Sequence, residues 1–169
     1  MPCTSARAGG CAIPTRSRIR SSGLCWRSCA RNTATLVDTG FLVALFNDGD
    51  AHHASAVRML GELAGVRLYS VWEVLTEACH LLNDKSRINM LRWAAAGRLT
   101  LLSSDPAELS DMADYMVQYE DGGADLADVA LVLAADRIGV HAILTVDRRD
   151  FDRYLSPKGV RLRRLWLKD

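Results

Sequence analysis

The chain has 169 residues, 49% hydrophobic and 24% charged, a mixture that suits one globular domain with a buried core and excludes a disordered or fibrous chain. No run of 18 apolar residues occurs, so no membrane span is expected. The net charge of +1 conceals six arginines and no acid in residues 1–32; the rest holds 15 basic against 20 acidic residues, a balance that favours a metal pocket over a plain basic groove for polyanions.

Residues 1–32 show no apolar period and read as a disordered extension rich in Arg and Cys, with a targeting or nucleic-acid-binding arm as the alternative. Four of the five cysteines fall there. Cys25 and Cys29 have zinc-like spacing, but no matching His or Cys pair follows. Cys79 alone remains in the body, as a small apolar helix residue, so the body reads as cytoplasmic and not as a secreted disulfide scaffold.

The second unit is residues 33–169. Thr33–Val37 is β-branched and predicts a first strand. Short helices are expected over Gly40–Asn47 and Asp50–Leu63, the latter from Ala51, Ala54, Val57 and Leu60 at helical spacing. Val66–Tyr69 predicts a strand. Ser70 with Glu73 three residues on has the pattern of a capping box and predicts a helix to Asn83. Arg87–Ala96 is a helical stretch and Arg98–Leu102 a strand. Asp105-Pro106 with Glu108 predicts a helix start. Asp125–Ile138 predicts a helix closed by Gly139. Val140–Thr145 is a buried strand and Val160–Leu165 an edge strand. Strands separated by helices imply an α/β fold: a mostly parallel central sheet with helices on both faces. No internal repeat appears.

Ligands of open α/β sheets bind beyond the carboxyl ends of the strands. Asp38 and Asp147 follow the apolar ends of two predicted strands, where a carboxylate either serves a site or merely caps the next helix. Glu77 lies in the second turn of the helix that Ser70 opens; Glu73 sits one turn earlier and is accounted for by capping. Asp125 and Asp128, three residues apart, share a helix face. Asp125 suits the cap, which leaves Asp128 among Ala127, Ala130 and Leu131, where an acid needs a partner. A solvated, dipole-paired residue is the alternative for each helical acid. Gathered in one cleft, such carboxylates repel by about 4 kcal/mol per pair at 4 Å and an effective dielectric of 20. A divalent cation relieves this, and oxygen-only ligands suit Mg²⁺ or Mn²⁺.

Four segments carry a resemblance: Leu36-Val37-Asp38-Thr39-Gly40-Phe41, Val74-Leu75-Thr76-Glu77-Ala78, Asp125-Leu126-Ala127-Asp128-Val129, and Thr145-Val146-Asp147-Arg148-Arg149-Asp150-Phe151. In this order they resemble the PIN domain, and most of all the VapC-type toxins. Each motif alone is weak; the ordered set is specific. The resemblance implies a PIN-like three-layer α/β/α sandwich and an Mg²⁺-dependent endoribonuclease. It matches Asp38, Glu77, Asp128 and Asp147 to the family's acidic quartet, with Asp125 as an auxiliary metal ligand. It also implies an RNA substrate, a homodimer and a small antitoxin protein as partner. No histidine neighbours the acids in sequence. Thr39 and Thr145 are candidates for orienting carboxylates or water, and Arg148 and Arg149 for touching phosphates or forming a solvated turn. Two rivals stand beside this reading. A phosphohydrolase of the aspartyl-phosphate kind wants a second Asp two residues after the first, where this chain has Gly40. A non-catalytic RNA-binding module would tolerate loss of acids that are all present here.

Overall fold

Ala-Thr-Leu-Val, buried along its whole length, forms β1 (Ala34–Val37) at the centre of a five-stranded sheet. A central parallel strand is covered on both faces, which is why its apolar run does not alternate. In this computed structural model residues 34–167 are described. The expectations for residues 1–32 and the start of the first strand at Thr33 lie outside them.

The other strands are β2 (Arg67–Val71), β3 (Thr100–Leu102), β4 (Ala142–Leu144) and β5 (Arg163–Arg164). The order is β3-β2-β1-β4-β5 and all four pairings are parallel. The helices between them are α1 (Thr39–Phe46), α2 (His53–Glu62), α3 (Trp72–Leu81), α4 (Asp84–Trp93), α5 (Leu109–Gln118), α6 (Leu126–Ile138) and α7 (Arg148–Phe151). Together they make the expected three-layer α/β/α sandwich. Strand order reverses at β1, which pairs with β2 on one side and β4 on the other. The crevice at such a reversal, beyond the carboxyl ends, is where the fold opens to ligands. Asp38 N donates to Leu144 O at 3.0 Å and ties the two strand ends together there.

Helix α6 runs through the core; Val129, Leu131, Val132 and Ala134 are fully buried. Asp125 caps its start by accepting from Asp128 N at 2.8 Å, and Gly139 ends it at φ 67°. Phe41 and Trp166 meet edge to face at 4.9 Å, and the buried Trp166 indole donates to Ser55 Oγ.

Several elements differ from expectation. Ser70 does not cap a helix: β2 extends through it, and its buried hydroxyl donates to Val37 O at 2.7 Å. Helix α3 therefore starts at Trp72 without a side-chain cap, and Glu73 accepts from Ser104 Oγ instead. Asn83 does not end that helix; it caps α4 by accepting from Ser86 N. In α2 the buried position is Ala56, while Val57 is 49% exposed. The Asp105 box forms with both its hydrogen bonds, over a 3-10 turn that leads into α5. The edge strand shrinks to Arg163–Arg164, preceded by an antiparallel bridge between Leu155 and Arg161. Cys79 is a free thiol, half-buried in α3. Among the described residues no helix is long and apolar enough to cross a membrane.

Candidate functional site

The turn from β1 into α1 places Asp38 at the floor of the crevice, 6% exposed. Its Oδ1 accepts from Thr39 N at 2.6 Å, so it does cap the helix. Its Oδ2 accepts from Thr145 Oγ1 at 2.7 Å, a contact that capping does not require. Thr145 Oγ1 in turn accepts from Asp147 N at 2.8 Å, and Asp147 caps α7 through Asp150 N. From α1, Thr39 Oγ1 donates to Glu77 Oε2 at 2.6 Å. Asp128 Oδ2 accepts from the Tyr154 hydroxyl at 3.2 Å. Three hydroxyls on three segments thus fix three carboxylates.

All five acids singled out from the sequence line one cleft of about 420 Å³. Asp50 and Asp150 join them there. No lysine or arginine is among the described residues lining it. His52 also lines the cleft, with its ring edge-on to Trp166 at 5.9 Å. Sequence spacing missed His52 and Asp50, which reach the cleft from the loop between α1 and α2. It missed Tyr154, which follows α7 and meets Asp128 across 26 residues of chain. Asp150 had a local signal, since it follows Asp147 by one helical step.

The electrostatics record the crowding. Burial, with repulsion from Glu77 and Asp125, pushes the Asp38 carboxyl from 3.8 up to about 6, against the pull of its hydrogen bonds from Thr145 and Thr39. Burial, then the charges of Asp38 and Asp125, pushes Asp128 up to about 8. Burial and Asp147 raise Asp150, whose Oδ1 is buried without a hydrogen-bond partner. Burial and the nearby acids likewise raise the Tyr154 phenol, so it stays a donor.

A raised carboxyl favours the folded state at low pH. Below the ordinary 3.8 both states are protonated and the shift costs nothing. As pH rises through about 6 and about 8 the folded protein must ionise Asp38 and Asp128 against the cleft, and stability falls. Asp136 and Asp152, held low by hydrogen bonds, act the opposite way but only in acid. In EDTA the melting temperature is expected to drop by several degrees from about pH 5 to 8, and Mg²⁺ is expected to restore more of it the higher the pH. Melting curves across that range check this; a melting temperature that rises with pH in EDTA contradicts it.

Among the described residues no three His, Cys, Asp or Glu groups are arranged to hold a metal ion in this side-chain arrangement. In kind, however, the donors fit a hard divalent cation: they are mutually repelling carboxylate oxygens around one cleft. Asp38, Glu77, Asp128 and Asp147 are the residues that would hold it, with Asp125 at the rim.

The sequence signature of the PIN domain matches residues 35–155. The chain belongs to the PIN-domain family. Within that family it is similar to Ribonuclease VapC26 of Mycobacterium tuberculosis (strain ATCC 25618 / H37Rv), at 30% identity over 128 residues, covering 73% of this chain and 93% of that protein. Its fold is that of Mycobacterium tuberculosis VapC20, described as a sarcin-ricin loop cleaving toxin, with a TM-score of 0.64 at 20% identity over 75% of this chain and 98% of that one. The four acids that the resemblance matched to the family's quartet all line the one cleft described above.

Proposed function

We propose that this PIN domain is an Mg²⁺-dependent endoribonuclease, the toxin of a toxin–antitoxin pair, acting in the cytoplasm. The observation that carries the reading is the convergence of acids from four separate segments on one cleft whose described lining includes no lysine or arginine. The similarity to Ribonuclease VapC26 supports RNA as the substrate. Asp38, Glu77, Asp128 and Asp147 bind the cation, and Asp125 assists from the rim while capping α6. When bound, Mg²⁺ or Mn²⁺ supplies Lewis acidity to the phosphodiester and to the attacking water. Thr145 and Thr39 hold Asp38 and Glu77 in place, and Tyr154 holds Asp128. A homodimer and a small antitoxin protein belong to the same reading; an acidic cleft suits an inhibitor's arginine, which pairs with carboxylates bidentately.

A phosphohydrolase reading meets an obstacle in the structure. The second aspartate would stand at position 40, and a Cβ on Gly40 would lie 2.3 Å from Val146 Cγ2. Purified protein given mixed RNA and p-nitrophenyl phosphate, with Mg²⁺ or EDTA, separates the readings. RNA cut only in Mg²⁺ is expected. Ester turnover with intact RNA points to the phosphohydrolase, and neither activity to a binding module.

A further inference from the structure

Beside the acidic cleft lies a second groove of about 560 Å³. Trp72, Thr76 and His80, successive turns of α3, line one side; Leu126 and Ala127, at the start of α6, line the other. Trp72 is 53% exposed and Leu126 47%. The Thr76 hydroxyl is spent on the Trp72 carbonyl at 2.8 Å, so it adds little polarity. Glu77 and Asp125 line both the groove and the cleft, so the two are neighbours.

The groove's charged lining is acidic, from Glu73, Glu77 and Asp125. A phosphate placed there is repelled. A flat uncharged ring is not, and an exposed indole offers it a stacking face. We propose that this groove is a subsite for one unpaired RNA base next to the phosphate in the acidic cleft, with the base stacked on Trp72 against Leu126. The proposal rests on the ribonuclease reading for its substrate class. Stacking needs a base already free of its own helix, so the subsite selects single-stranded or looped RNA and is tolerant of base identity. Trp72 is a binding residue here and touches no reacting atom.

The test uses the full chain and a fluorescein-labelled single-stranded RNA of mixed sequence. Affinity is read by anisotropy with Ca²⁺ in place of Mg²⁺. Trp72→Ala is expected to weaken binding about tenfold or more, and Trp72→Phe to recover most of it. A strand with an abasic ribose at one position should bind wild type as weakly as the intact strand binds Trp72→Ala, and the two losses should not add. Equal affinity of Trp72→Ala and wild type, or additive losses at every abasic position, overturns the subsite. So does a Trp72→Ala protein that changes only its oligomeric state by light scattering, which makes the face a protein contact. Cleavage in Mg²⁺ is followed in parallel. Coupled base binding without cleavage leaves the subsite standing and sinks the ribonuclease reading; cleavage with an indifferent Trp72 does the reverse.

Discussion

Asp38→Asn is expected to abolish RNA cleavage while making the metal-free protein more stable. Asparagine keeps the shape and one carbonyl oxygen, so the bond from Thr39 N survives. The negative charge does not survive. Loss of groups that only orient metal ligands costs about 10–100-fold, so loss of a direct ligand should exceed about 100-fold. Stability moves the other way, because burial and neighbouring acids already push the Asp38 carboxyl up to about 6. At neutral pH the wild-type fold carries that ionised group at a cost, and the neutral amide removes it. New RNA 5′ ends and growth arrest should vanish together in the variant, and its melting temperature in EDTA should rise. Retained cleavage removes Asp38 from the mechanism.

Gly40→Ala is expected to cost stability and activity through a steric conflict. The glycine has ordinary backbone angles, so conformational freedom is not its role. It is there for space: a Cβ would stand 2.3 Å from Val146 Cγ2. Val146 lies between Thr145, which bonds Asp38, and Asp147, which caps α7. Relief of the clash turns the β-branched Val146 out of its rotamer or shifts α1 or the strand end that carries these acids. Overpacking of this kind costs about 1–3 kcal/mol. Val146→Ala removes the clashing methyl, and in the double variant it should return much of the lost stability and cleavage. Denaturant melts of both singles and the double check the coupling. Additive losses would falsify the account of Gly40.

Local chemistry made some elements legible and tertiary contacts hid others. Asp105-Pro106-Ala107-Glu108 and the span from Asp125 to Gly139 were readable because caps and breakers act within one turn. Ser70 misled because its hydroxyl has two satisfying partners, a helix N–H nearby or a carbonyl of the next strand. The buried Val37 carbonyl won, and β2 ran on to Val71. Asn83 suits an ending and a cap alike, and only the Ser86 N–H it accepts from distinguishes them. Helix α7 was hidden inside a charged segment too short for any period. The five acids were legible from strand ends and ordered motifs. Their supports were legible only in part. Thr39 and Thr145 stand next to the acids in sequence, but the Thr39–Glu77 bond spans 38 residues and the Tyr154–Asp128 bond 26. No spacing rule reaches so far, and His52 enters the cleft from the loop between α1 and α2.

The central claim is that carboxylates from distant segments share a cation. Crystals grown with Mn²⁺ test it most directly, through anomalous scattering at the manganese edge. The expected map has a peak in the cleft within ligand distance of Asp38 and Asp128, lost in Asp38→Asn. Saturating Mn²⁺ with no peak among these carboxylates would contradict the proposed chemistry.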